Sequence, residues 1–317
     1  MRRLYARGPC RTGVTTASYT VLPEQFVVGP IARGDDREMS KLVMAVLAST
    51  AWATSALAQN APPEQPDPLT SPRFAELDRA DGASRGGLDL TYLVVKGGGT
   101  TALRFDAYGE YIDKHYGLGG YVQLPVFYGN GSGMTSGGIG DVEVGAIYAR
   151  AVSASFGIAL RAGATLPSGA TGDNGAFDQI VSFARSSDFY LAIPKGASLR
   201  LAASPLVRVG VMFARVDLGV DVNFSQDGMA SFPTIYRLNV GVGALIVPQV
   251  AVTLENVNTF IGSSSTSTGS NIDVGALSVR YAGGTAHPFV AVSIPLDSAS
   301  RTVFDAFLSA GIDVALH

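Results

Sequence analysis

The chain has 317 residues, 47% hydrophobic and only 15% charged, with 38 glycines, one cysteine and one tryptophan. Residues 1–58 hold 7 of the 23 Lys and Arg and 4 of the 26 Asp and Glu, so residues 59–317 carry 16 and 22, a net charge of −6. That balance argues against a nucleic-acid partner, and a cysteine confined to Cys10 excludes disulfides and thiolate metal sites downstream of it.

Met39-Ser40-Lys41 is a short basic start, residues 42–53 are an apolar run, and Ala56-Leu57-Ala58 supplies small residues before Gln59. This is the pattern of a secretory signal over 39–58. Such signals stand at an N-terminus, so translation is expected to begin at Met39, with residues 1–38 a start-site artefact or an extension. Residues 59–85 are rich in proline and charge and lack periodicity, which reads as a flexible periplasmic lead-in, with a short helix over 72–80 as a minor variant. No later stretch has the ~20 consecutive apolar residues of a membrane helix.

From Gly86 an alternating pattern takes over. Leu88, Leu90, Tyr92 and Val94 share one face, and Leu103, Phe105, Ala107 and Tyr111 oppose Arg104, Asp106 and Glu110. Val122, Leu124, Val126 and Tyr128 follow, then a hairpin over 139–150 and 154–167 in which Val142 and Val144 oppose Asp141 and Glu143. Successive strand side chains point to opposite faces, so each run has one apolar and one polar face. The same pattern continues through 199–224, 238–257, 272–282, 287–295 and 302–317, with Phe304 placed in phase with Leu308 and Ile312 on the apolar face.

The runs number twelve, each about nine to sixteen residues, long enough to cross a bilayer when tilted. Short turns are expected at 113–116, 151–153, 213–215, 247–249 and 283–286, alternating with longer loops rich in glycine and serine. The fold class is therefore all-β: an antiparallel up-and-down transmembrane barrel over 86–317, with both termini periplasmic. Its apolar face would meet outer-membrane lipid. Arg104, Asp106, Asp141, Glu143, Arg161, Arg215, Asp217, Asp221, Arg237, Glu255 and Asp313 would line the lumen, since an Arg at mid-bilayer on the lipid face costs ~2–4 kcal/mol. Tyr128, Tyr148, Phe156, Phe213, Phe224 and Tyr236 fall near strand ends, where aromatic girdles sit.

The loop over 168–197 is long for a compact fold. It carries Phe177, Phe183, Phe189 and Tyr190, candidates to contact a ligand if the loop folds over the barrel mouth. An outward hairpin is the other reading.

Catalytic chemistry finds little footing. His115 falls in a turn, His287 precedes a proline and His317 is terminal, and no GxSxG positions a nucleophile. The paired carboxylates Asp106/Glu110 and Asp141/Glu143 read as lumen ion pairs. Glycine-rich GGGT and GNGSGMTSGG lack the lysine spacing of a phosphate loop. No enzyme, cofactor or metal is expected.

Gly138–Tyr148, GIGDVEVGAIY, followed by Leu166-Pro167-Ser168-Gly169, resembles a bacterial outer-membrane barrel family associated with phenol-degradation (meta-pathway) clusters, distantly similar to hydrophobic-compound channels of the fatty-acid transporter type. The resemblance implies a barrel that passes small solutes, apolar or aromatic ones among them. Barrels of this kind often end in an aromatic residue read by the barrel-assembly machinery, whereas this chain ends Val314-Ala315-Leu316-His317. Passive uptake is the first functional reading. The alternatives are a structural or adhesive barrel with a plugged lumen, and a secreted soluble β-protein.

Overall fold

The structure, a computed structural model, describes residues 67–97, 100–131, 134–171, 181, 183–192, 196–224, 234–262 and 270–316. The expected signal at 39–58, residues 1–38 and 59–66, Phe177 and His317 lie outside the described residues.

Among the described residues, twelve long strands form the wall: β1 (Arg85–Val95), β2 (Thr100–Asp113), β3 (Leu118–Gly131), β5 (Val142–Ala151), β6 (Phe156–Leu166), β8 (Ala197–Val209), β9 (Met212–Phe224), β10 (Ile235–Val247), β11 (Val250–Ile261), β12 (Ser270–Tyr281), β13 (Ala286–Pro295) and β14 (Phe304–Ala315). Two short strands, β4 (Met134–Ile139) and β7 (Ala170–Thr171), extend β5 and β6 past breaks. Each long strand pairs antiparallel with its neighbours, and β1–β14 and β2–β3 pairing closes the sheet on itself. Closure gives each of the twelve long strands a neighbour on both sides, as a membrane-spanning sheet requires.

The alternation sorts the side chains. Leu88, Leu90, Leu199, Leu201, Leu254, Leu277, Val290 and Leu308 stand outward and exposed, while their neighbours Asp89, Arg200, Glu255, Ser278 and Ser309 are buried inside. Such an apolar outer belt belongs against lipid, and it disfavours a soluble secreted protein. Tyr128, Phe224 and Tyr236 are exposed on this outer surface, and Tyr148 and Phe156 are half-buried.

Two positions depart from the sequence reading. The turn expected at 213–215 lies at Gly210-Val211, where Gly210 has φ of 59°. A two-residue hairpin needs this left-handed backbone, which glycine adopts without strain. Phe213 is therefore already in β9, turned into the lumen at 3% exposure, and is no part of an outer girdle. Phe304, expected on the lipid face, is also buried inside, because the β1–β14 register shifts between Val94 and Val95. A bulge inserts one unpaired residue and re-aims those beyond it.

The wall is also interrupted beside the long loop. The first half of β3 pairs with β5 and the second half with β4, with a break at Gly140-Asp141. Gly140 N–H donates to Pro125 O at 2.8 Å and Asp141 N–H to Leu191 O at 2.9 Å. A Cβ on Gly140 would lie 2.2 Å from that Leu191 oxygen, so only glycine permits the approach.

Candidate functional site

The wall encloses a second stretch of chain. Residues 73–82, within the span read from sequence as a flexible lead-in, are all buried in the barrel. They form no helix, and side chains of the wall take up their backbone groups. The Glu255 carboxylate accepts from Ala75 N (2.8 Å), Glu76 N (2.7 Å) and Leu77 N (3.2 Å). Asp217 accepts from Asp78 N at 3.2 Å, and Glu110 from Ala83 N at 2.9 Å. In the other direction, Arg215 donates to Asp78 O (2.7 Å) and Arg280 to Arg73 O (3.0 Å). A buried backbone must have its hydrogen bonds met, and inward charged side chains supply here what a strand ladder supplies elsewhere.

Ion pairs lock the plug sideways. Arg79 meets Asp89 (3.0 Å), Asp106 (3.0 Å) and Asp188 (2.9 Å). Asp78 meets Arg237 at 2.9 Å and also Arg161. Burial would raise the Asp78 carboxyl, but Arg161 and Arg237 outweigh it and hold the group at about 2. Glu76 has hydroxyl partners, Ser293 at 2.9 Å and Ser309 at 3.4 Å, and burial pushes its carboxyl above the usual 4.5. Phe74 sits on the inner face, its ring 5.5 Å from that of Phe213 and against bare Gly241.

Part of the long loop also enters the lumen. Its described part, Phe183–Ala192, is a kinked 3-10 segment folded into the barrel rather than projecting from it. Phe183 packs on Phe189 (5.3 Å) and on Phe304 (5.5 Å), over a buried apolar patch that includes Leu93, Phe127, Val257 and Phe307. Tyr190 is buried, and burial raises its hydroxyl pKa. The loop also grips the plug. Arg185 donates to the carbonyl oxygens of Ala75 and Leu77, and Asp188 accepts from Arg79 and, at 2.6 Å, from Arg185. Burial works against ionisation of Asp188, but Arg185, Arg79 and Arg200 overcome it and keep its carboxyl far below the usual range.

All eleven wall residues singled out from sequence are buried. Arg104 forks onto Asp106 at 2.9–3.0 Å, and Arg215 pairs with Asp217 at 2.7 Å. Asp221 holds Arg237 (2.8 Å) and Arg200 (3.1 Å), Glu143 takes Tyr121 (2.7 Å) and Arg200, and Asp313 takes His287 (3.0 Å) and Arg280. Asp141 instead accepts from Gly169 N (2.6 Å) and Gly196 N (2.7 Å), bracing both ends of the long loop. His115 is exposed in its turn. The phase rule that picked these residues also reaches Asp89, Glu110, Arg200 and Arg280, which alternate with outward Leu, Tyr or Val. The plug residues had no such signal.

At the end where both described termini lie, a vestibule of about 800 Å³ opens among the short turns. Further in, a cavity of about 10 Å³ beside Arg79, Tyr108 and Gln123 has room for one water.

A closed antiparallel barrel, apolar outside, charged inside and filled by its own chain, is an outer-membrane β-barrel by class. No protein-family model and no curated protein matches the chain. Among solved structures it resembles the COG4313 outer membrane channel from Pseudomonas putida F1, with a TM-score of 0.57 and 10% identity over 78% of this chain and 100% of that one. It is also similar to the KdgM porin (TM-score 0.44, 12% identity, 73% and 99% covered) and the NanC porin (0.46, 10%, 72% and 100%). At these identities the likeness is one of fold.

Proposed function

We propose that the chain is a passive outer-membrane channel for small molecules, exported by the signal at 39–58, inserted by the barrel-assembly machinery and oriented with both termini periplasmic. The observation that carries this reading is that two segments outside the wall, around residues 73–82 and 184–191, are packed inside it against the inward wall side chains. Both enter from strand ends, and both are held chiefly by side-chain contacts that can part without unpairing a strand. With them displaced, Arg104, Asp106, Glu143, Arg161, Arg215, Asp217, Asp221, Arg237, Glu255 and Asp313 line the path. The patch now covered by Phe183 and Phe189 would then face the solute, which suits apolar or aromatic molecules, as the resemblance to the phenol-degradation family implies.

Liposome swelling tests this. Deleting residues 67–83, or 172–192, should speed entry of small uncharged aromatics over the full chain; equal rates in all three proteins rule out gating by these segments. The dense ion pairing of the plug favours a second reading, a permanently closed structural barrel. That reading requires no swelling with the full chain for any solute tried.

A further inference from the structure

The vestibule at the terminal end has a charge the rest of the lumen lacks. Deeper in, the buried acids outnumber the buried arginines among the described residues, twelve to seven. The vestibule is lined by six cations, Arg73, Arg85, Lys114, Arg150, Arg208 and Arg280, and two acids, Asp67 and Asp313, while Asp89 and Asp81 outside the lining pair with Arg73 (2.8 Å) and Arg85 (3.0 Å). Asp313 is already taken by Arg280, Arg85 (3.6 Å) and His287, and Asp67 accepts from Leu69 N at 2.9 Å. Lys114 and Arg150 are exposed and make no ion pair among the described residues. The six cations come from the plug and from β1, β5, β8, β12 and the turn after β2, so they ring the opening.

The same cavity has apolar walls. Leu69, Ile112, Tyr116 and Leu245 line it between the basic residues. At about 800 Å³ it falls in the size range of small-molecule sites, which are mostly apolar with a few placed polar groups. A concave site of one charge sign, with low-dielectric walls, concentrates ions of the opposite sign.

We infer that this vestibule binds a small organic anion, an aromatic or aliphatic carboxylate, with the carboxylate among the basic residues and the hydrocarbon body against Leu69, Ile112 and Leu245. The inference deepens the channel reading by naming the charge of the solute, and it rests on that reading only for the site's place along a path.

The test is calorimetric titration of the full chain, in zwitterionic detergent, with benzoate and with benzyl alcohol. Benzoate should bind saturably and benzyl alcohol at least about tenfold more weakly, and 0.5 M salt should weaken benzoate, since exposed charges are screened. The double variant Lys114→Glu, Arg150→Glu should lose about tenfold in benzoate affinity, because both side chains are exposed and their reversal cancels the local excess. Lys96→Glu, on an exposed residue at the opposite end, should leave it unchanged. Equal affinity for the two ligands, no saturable benzoate binding, or full affinity in the double variant overturns the inference. The channel reading fails separately: benzoate binding without any liposome swelling keeps the site and removes the channel.

Discussion

Asp188→Asn should unlatch the lumen while leaving the wall intact. Asp188 is fully buried, and its carboxylate lies 2.6 Å from Arg185, 2.9 Å from Arg79 and 3.6 Å from Arg200, so one side chain joins loop, plug and wall. Removing one partner of a buried charged network costs ~3–5 kcal/mol, because the remaining ions stay buried without compensation. Asp188 belongs to no strand, so the cost falls on docking of the loop and plug rather than on barrel closure. At ~1.4 kcal/mol per tenfold change, the ratio of undocked to docked barrels should rise by roughly 10²-fold to a few thousandfold. Single-channel recording in planar bilayers reads this as open probability, with heat-shifted gel mobility reporting the wall. Asp305→Asn is the control: that residue is 57% exposed and 3.9 Å from Lys96, and exposed pairs contribute ~0–1 kcal/mol. Unchanged open probability in Asp188→Asn, with normal heat-shifted mobility, would show that the loop and plug do not gate the lumen.

Gly241→Ala places a Cβ 2.5 Å from the Phe74 ring, and such overpacking costs ~1–3 kcal/mol, so plug docking should weaken while the wall holds; protease cleavage between residues 67 and 84 checks it. The pH response follows from two plug carboxylates. Asp78 titrates lower when docked, so its contribution is complete above its free value of 3.8 and is lost only as pH falls toward about 2. Glu76 titrates higher when docked, so docking is favoured below 4.5 and weakens as pH rises through its raised value. Conductance should therefore rise with pH above 4.5, and Glu76→Gln should flatten that slope; a slope unchanged in the variant assigns it to another group. Gly210→Val forces a β-branched residue to φ 59° and should lower the unfolding temperature of the barrel, with Gly210→Asn milder because asparagine tolerates that region.

Most of the wall could be read from alternation. A period of two is a local property, so Leu199-Arg200-Leu201 or Leu88-Asp89-Leu90 tells which face each side chain takes before any partner strand is known. The errors fell where the period breaks. Phe213 needed the left-handed Gly210 to place its turn, and Phe304 needed the register shift against Val94 and Val95. Neither feature changes composition, so the apolar count along these strands looked the same either way.

The interior was beyond local reading. Arg73–Asp81 alternates charge and apolar residues without a period, the signature of a solvated tail as much as of a plug. Its conformation is set by Glu255, Asp217, Glu110 and Arg215, which lie up to 180 residues away in sequence. Loop residues Arg185 and Asp188 have meaning only once the closed wall has brought them against Arg79. Strand order, faces and the apolar belt thus follow from nearest-neighbour stereochemistry and the aversion of charge for lipid. What fills the lumen follows from closure, which puts distant unmatched charges in one water-poor space where each must find a partner.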